Sequence, residues 1–344
     1  MENKEYVERW HSDAFKSKEL AYQIFDDVKN KLKIIPHPFT GWRSSPNQKF
    51  RTISINKNGL RNKDIKKLNQ NSKNCFLLGG SVAWGFGAST NDQIPSYQIE
   101  KILKKEYSLD YNIINLAEQS YSSVEELNSF IFSFHELNPS MIIILSGIND
   151  INFEYRNRYK KFFPYEDFLN FYLWGDKLGI FRERNFFLVF FKFIYRFFKK
   201  NTKINDEYYF YKKPEKDNIA LELYKMKIDF VKNYCEAKKI PIFNFLQPDL
   251  FFKKNKSNFE KKYEVFEGDE KKKFIENKLK IFENELFSSY NDTKLLKNFS
   301  LLKCFDGFSQ TLYVDRSHVA DEGYAIVAKK ICSLINQNKE ILQK

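Results

Sequence analysis

The chain has 344 residues, 42% of them hydrophobic and 36 of them phenylalanine, which supports a packed core and excludes a disordered chain. Only 12 glycines and 9 prolines exclude a collagen-like or linker composition. Lys+Arg outnumber Asp+Glu by 57 to 44, a net charge of +13 that would suit nucleic acid, an anionic membrane surface or an acidic substrate.

In chain order, residues 1–70 read as a polar N-terminal extension that packs on the domain and has no core of its own. An amphipathic stretch over 6–32 is followed by turn residues and a short alternating run, FRTISI at 50–55, which predicts a small hairpin. From residue 73 the pattern changes. Continuous apolar runs lie at 74–78 (NCFLL), 112–116 (NIINL), 141–145 (MIIIL) and 240–246 (IPIFNFL), and a fifth strand is expected at 311–314 (TLYV). Continuous runs, unlike alternating ones, suit strands buried on both faces of a parallel sheet. Helical periodicity falls between them at 93–105, 123–136, 219–237 and 321–336. The alternation predicts an α/β fold: three layers, α/β/α, around a mostly parallel, five-stranded, flavodoxin-like sheet.

Residues 71–344 thus read as one domain with two insertions, an aromatic and basic one at 151–218 and a helical one at 251–305. Within the first, apolar residues almost encircle 185–200 (NFFLVFFKFIYRFFKK). That segment reads as a packing helix or lid, as a cap facing an acyl chain or glycan, or as a peripheral membrane contact. The lysines are scattered and no nucleic-acid motif accompanies them, so no nucleic-acid partner is expected. The start, MENKEYVERWHSD, lacks the apolar segment of a secretory signal, and no run of about 18 uncharged apolar residues occurs, so a cytoplasmic location is expected. Cys75, Cys235, Cys304 and Cys332 are far apart with no CxxC, and with only four histidines no metal site is expected.

Four short segments fall at strand ends, where ligands of open α/β sheets bind. GGSVAWGFGAS at 79–89 turns a strand into Gly-Gly-Ser; it reads as a nucleophile turn at Ser81, a plain strand-to-helix turn or a phosphate cradle. It lacks the lysine and spacing of a P-loop. NLAEQSYSS at 115–123 reads as a polar loop with Ser122 or Ser123 capping a helix and Glu125 or Glu126 closing a capping box, and it leaves room for a backbone N–H from Ala117. Gly147-Ile148-Asn149-Asp150 is turn chemistry that also presents an amide donor from Asn149. Asp315-Arg316-Ser317-His318 places a carboxylate three residues before a histidine. It can fix the imidazole tautomer and leave the other nitrogen for a serine proton.

These four blocks, in this order, resemble the SGNH hydrolase family, also called GDSL esterases or lipases, over about 73–150 and 236–336. The 1–70 extension more loosely resembles leaders of bacterial SGNH-like proteins, some linked to polysaccharide modification. The resemblance implies a catalytic triad of Ser81, Asp315 and His318. It implies an oxyanion hole from the Ser81 and Ala117 backbone N–H groups and the Asn149 amide. Block one reads Gly-Gly-Ser where the family has Gly-Asp-Ser, and Ser120 stands where glycine is more usual in block two. The implied activity is ester hydrolysis on an acylated carbohydrate or small ester through an acyl-serine, with no cofactor. The alternatives are an O-acyltransferase using the same triad on a glycan, or a non-catalytic binding module on the same scaffold.

Overall fold

Apolar runs become strands here because their backbone groups pair while both faces are covered. In the computed structural model, which describes residues 12–64, 72–156, 218–287 and 292–343, helix α1 (Lys18–Phe25) leads into a π-helical turn over Asp26–Lys31. Two small antiparallel hairpins follow, β1 (Ile34–His37) with β2 (Gly41–Ser44) and β3 (Gln48–Lys49) with β4 (Ser54–Ile55). The central sheet then begins with β5 (Lys73–Gly79). After it come α2 (Ser81–Trp84), α3 (Pro95–Tyr107), β6 (Tyr111–Asn115), α4 (Ser123–Leu137), β7 (Met141–Ser146) and α5 (Ile148–Tyr155). The remainder is α6 (Ile219–Lys238), β8 (Ile242–Leu246), α7 (Asn258–Glu267), α8 (Asp269–Leu286), β9 (Leu296–Ser300) and α9 (Asp321–Gln337).

The sheet is five-stranded and wholly parallel, in the order β6-β5-β7-β8-β9. Strand order reverses at β5, so the loops after β5, β6 and β7 open onto one edge, the topological switch point of a doubly wound sheet. Side-chain alternation divides the core. Cys75, Leu77, Ile143 and Phe245 face a layer that includes Ile99 and Leu103 of α3 and Val327 and Ile331 of α9. Phe76, Leu78, Ile142 and Ile144, one residue out of step, are equally buried and turn to the opposite face. Ile24, Phe25, Val28, Ile53 and Ile55 of the N-terminal extension belong to the first of these clusters.

The expected fifth strand at 311–314 is corrected by the structure. The fifth strand is β9, within the stretch expected to be a helical insertion; α7 and α8 precede it there. The sequence LKNFS hides it because an edge strand is paired on one side only and tolerates polar residues. Asn298 of β9 even accepts a side-chain hydrogen bond from Asn244 of β8 (2.9 Å). Residues 312–314 are apolar because they are buried, but their backbone pairs elsewhere: the Leu312 and Tyr313 N–H groups donate to the Glu260 carboxylate (3.0 and 3.2 Å). Only an isolated antiparallel bridge, Tyr313 with Val319, forms there.

Met1–Ile151 with Leu221–Lys344 form one compact unit and Asn152–Ala220 a second. In the second, the Ala220 N–H donates to Glu154 (2.9 Å). The aromatic segment 185–200 lies outside the described residues. Among the described residues, no helix is long and apolar enough to cross a membrane.

Candidate active site

Ser81 is the first residue of α2, a single helical turn closed by Trp84 N–H to Gly80 O (2.9 Å) and Gly85 N–H to Ser81 O (3.0 Å). The two preceding glycines are required by close approach. At Gly79 (φ +154°) a Cβ would meet Ala83 Cβ at 2.6 Å, and at Gly80 it would collide with the side-chain nitrogen of Asn149. The Asn149 amide thus lies against the backbone just before Ser81. That amide is aimed by a hydrogen bond from Asn149 Nδ2 to Tyr121 O (2.7 Å).

The last loop reaches Ser81 from the far end of the chain. His318 Nε2 lies 2.7 Å from Ser81 Oγ, and His318 Nδ1 lies 2.7 Å from Asp315 Oδ2. The second carboxylate oxygen of Asp315 accepts the Ser317 and His318 N–H groups (2.9 and 2.8 Å), which folds the segment back on itself. A carboxylate at Nδ1 puts the proton there, so Nε2 is left to accept from the serine hydroxyl. Burial acts to raise the Asp315 pKa. The His318 imidazolium charge, the imidazole hydrogen bond and the two backbone donors together outweigh it and hold the carboxyl at about 2. The acid is thus ionised at neutral pH.

The structure brings Ser81, Asn149, Asp315 and His318 to one edge of the sheet, but it places Ala117 differently from the sequence expectation. The Ala117 N–H donates to Asn115 Oδ1 (3.2 Å) and the residue packs in the core, so it is not the oxyanion donor. The turn that reaches the site lies further on, at 118–121. There Ser120 is exposed in the left-handed region (φ +64°), next to the Tyr121 carbonyl that aims Asn149.

The N-terminal extension was expected to pack on the domain, but not the particular contacts by which it does so. Trp42 Nε1 donates to Gln119 O (3.0 Å), Tyr121 Oη donates to Trp42 O (2.7 Å), and the Ser44 N–H donates to Glu118 (2.7 Å). Arg61, fully buried, donates to Gly85 O (2.7 Å), Thr52 O (2.9 Å) and Asn91 Oδ1 (3.0 Å), and its guanidinium lies 4.5 Å from the Trp84 ring. Desolvation lowers its pKa to about 10, so it stays charged at neutral pH. No short motif encodes such contacts, because each joins residues remote in sequence.

Behind the 115–123 loop lies a buried acidic group. Glu125 accepts the Ser122 N–H and hydroxyl (2.9 and 2.6 Å), half of the predicted capping box. Burial pushes its pKa up to about 7, against those hydrogen bonds. The folded carboxyl therefore keeps a proton that the unfolded chain, at the ordinary 4.5, has released. The stability it confers is fully present below about pH 4.5 and is lost as pH rises to about 7, by at most about 3 kcal/mol. Glu125→Gln keeps an acceptor for Ser122 and removes that titration. The variant is expected to gain stability relative to the wild type on going from pH 4.5 to pH 8, measured as the difference in urea midpoints. An equal pH dependence in both proteins would show that Glu125 titrates normally.

No family model matches the sequence, and no curated protein matches it. Solved structures similar to the chain include the lipase Lip_vut3 from a goat rumen metagenome (13% identity, 76% of this chain and 97% of that chain, TM-score 0.41). An acetyl xylan esterase, AlAXEase, is 12% identical over 76% of this chain and 99% of its own, with a TM-score of 0.38. A catalytic mutant of an acetylxylan esterase from Geobacillus stearothermophilus is 13% identical over 78% of this chain and 95% of its own, with a TM-score of 0.38.

Proposed function

We propose that the chain is a serine ester hydrolase acting on an acylated carbohydrate or small ester through an acyl-serine intermediate. The observation that carries this reading is the continuous line Asp315–His318–Ser81, with both contacts to the imidazole at 2.7 Å.

In the first half-reaction His318 Nε2 takes the Ser81 hydroxyl proton as Oγ bonds to the acyl carbon. Asp315 holds the imidazolium that forms. The tetrahedral oxyanion is held by the Ser81 N–H and the Asn149 amide. Collapse breaks the bond to the alcohol oxygen, which leaves with the proton from His318. Water then attacks the acyl carbon, giving its proton to His318. Oγ departs, takes that proton, and the carboxylic acid is released.

A fluorophosphonate tests the reading without knowledge of the substrate. Intact mass is expected to show one stoichiometric adduct on the wild-type chain and none on Ser81→Ala. A wild-type chain that stays unlabelled at neutral and mildly alkaline pH would overturn the assignment of an activated serine.

A further inference from the structure

The Asn149 side-chain amide has two N–H bonds. Nδ2 donates to the Tyr121 carbonyl (2.7 Å), which engages one hydrogen and so sets the direction of the other. The last torsion of an asparagine side chain is soft. The donor is therefore aimed no better than the carbonyl that holds it. That carbonyl is closely seated, since a Cβ at Gly80 would meet it at 3.1 Å.

The lengths of the bonds show what holds the Tyr121 carbonyl in place. The backbone bonds of its own turn are long. Glu118 N–H to Gly79 O is 3.4 Å and Tyr121 N–H to Glu118 O is 3.3 Å, beyond the usual range of about 2.7–3.2 Å. The bonds that arrive from the β1–β2 hairpin are shorter. The Ser44 N–H donates to Glu118 (2.7 Å), Trp42 Nε1 donates to Gln119 O (3.0 Å), and Tyr121 Oη donates to Trp42 O (2.7 Å). The Trp42 and Tyr121 rings also meet edge to face, their centres 5.3 Å apart. Trp42 is itself fixed: it is buried, its carbonyl accepts Thr40 Oγ1 (3.0 Å), and it pairs with Pro36 across the hairpin. On the other side Asp150 accepts the Ser123 N–H (3.1 Å), two residues beyond the carbonyl in question.

We propose that Trp42, in the N-terminal extension, is a positioning residue of the Ser81 site: it holds the 119–121 turn so that the Tyr121 carbonyl aims the Asn149 amide at the oxyanion. This rests on the ester-hydrolase reading of that site. Trp42 acts at both ends of the turn, as a donor to Gln119 and as an acceptor from Tyr121. Its effect on the reaction passes through Asn149 alone. The oxyanion exists only in the transition state, so a donor that is slightly misdirected loses rate and not substrate binding.

The test is a double-mutant cycle on the full chain with 4-nitrophenyl acetate. Trp42→Phe removes the indole donor and keeps an aromatic ring. It is expected to lower kcat/KM about tenfold, less than the 10²–10³ or so of losing an oxyanion donor outright. In the Asn149→Ala background the same substitution is expected to change kcat/KM less than about twofold, because no amide is left to aim. Tyr121→Phe, which removes only the bond to the Trp42 carbonyl, is expected to show the same pattern with a smaller loss. It carries the test if Trp42→Phe does not fold. Equal losses in both backgrounds, or no loss in either variant, would overturn the proposal and leave the hydrolase reading standing. If turnover is too slow to measure, solvent exchange of the Asn149 side-chain amide protons, followed by NMR, decides. Exchange that is faster in Trp42→Phe, with the Asn244 amide (bonded to Asn298, 2.9 Å) unchanged, supports the positioning role even if the hydrolase reading falls. Exchange at Asn149 that is unchanged, or faster at both amides alike, overturns it.

Discussion

Ser81→Ala is expected to lower kcat/KM for 4-nitrophenyl acetate by on the order of 10⁴–10⁶, and His318→Ala by a similar factor. Ser81→Ala combined with His318→Ala is expected to lose little more than either alone. The physical reason is that the two act as one unit. Without Oγ the imidazole has nothing to deprotonate, and without the imidazole Oγ is an ordinary alcohol, protonated at neutral pH. What survives is substrate binding and the proposed oxyanion donors, which do not depend on the relay. The side chains of Ser81 and His318 are only partly buried, so both single variants should keep the fold, checked by thermal unfolding. Steady-state rates for the wild type, both single variants and the combined variant settle the point. Losses that multiply would show that Ser81 and His318 do not share one step.

Lys253→Met is expected to cost about 3–5 kcal/mol of stability, the cost of leaving one member of a buried ion pair unpaired. Lys253 and Glu260 both have side chains completely excluded from solvent, and the Lys253 ammonium contacts both carboxylate oxygens (2.9 and 2.6 Å) and the Gln310 carbonyl (2.6 Å). Glu260 also receives the Leu312 and Tyr313 N–H groups and, from the start of its own helix α7, the Ser257 N–H (2.8 Å). A few residues on, Arg316 pairs with Asp249 (2.6 Å), another buried contact, and its carbonyl accepts the Leu250 N–H (2.9 Å). Together these groups strap 310–316 to the body of the unit and so hold Asp315 and His318 over Ser81. Lys253→Met should therefore lower kcat as well as the urea midpoint. Lys253→Met/Glu260→Leu, which removes both charges, is expected to recover part of the stability, because no buried carboxylate is left without its cation. A single variant as stable as the wild type would show that the backbone donors alone satisfy Glu260.

Four of the five sheet strands and the helices between them could be read from the residues alone. A continuous apolar run such as MIIIL is stable only when buried on both faces, and the periodicity of the 321–336 stretch has one low-energy use, a helix with one face on a core. Ser81 and Asn149 were legible for the same reason, because they follow apolar runs at whose ends loops leave the sheet, whereas Asp315 and His318 were legible from their own spacing although no sheet strand directly precedes them. The tertiary structure decided what local patterns cannot carry. It chose polar LKNFS over apolar TLYV as the edge strand, because Glu260 and not a neighbouring strand satisfies the backbone of 312–313. It gave the Ala117 N–H to Asn115, and it set the Tyr121 carbonyl against the Asn149 amide. It joined a serine and a histidine that lie 237 positions apart, and it set Trp42 of the N-terminal extension against the Gln119 carbonyl. Local sequence specifies which faces must be buried and where chains must turn. Which distant groups satisfy one another's hydrogen bonds and charges is settled only when the whole chain has packed.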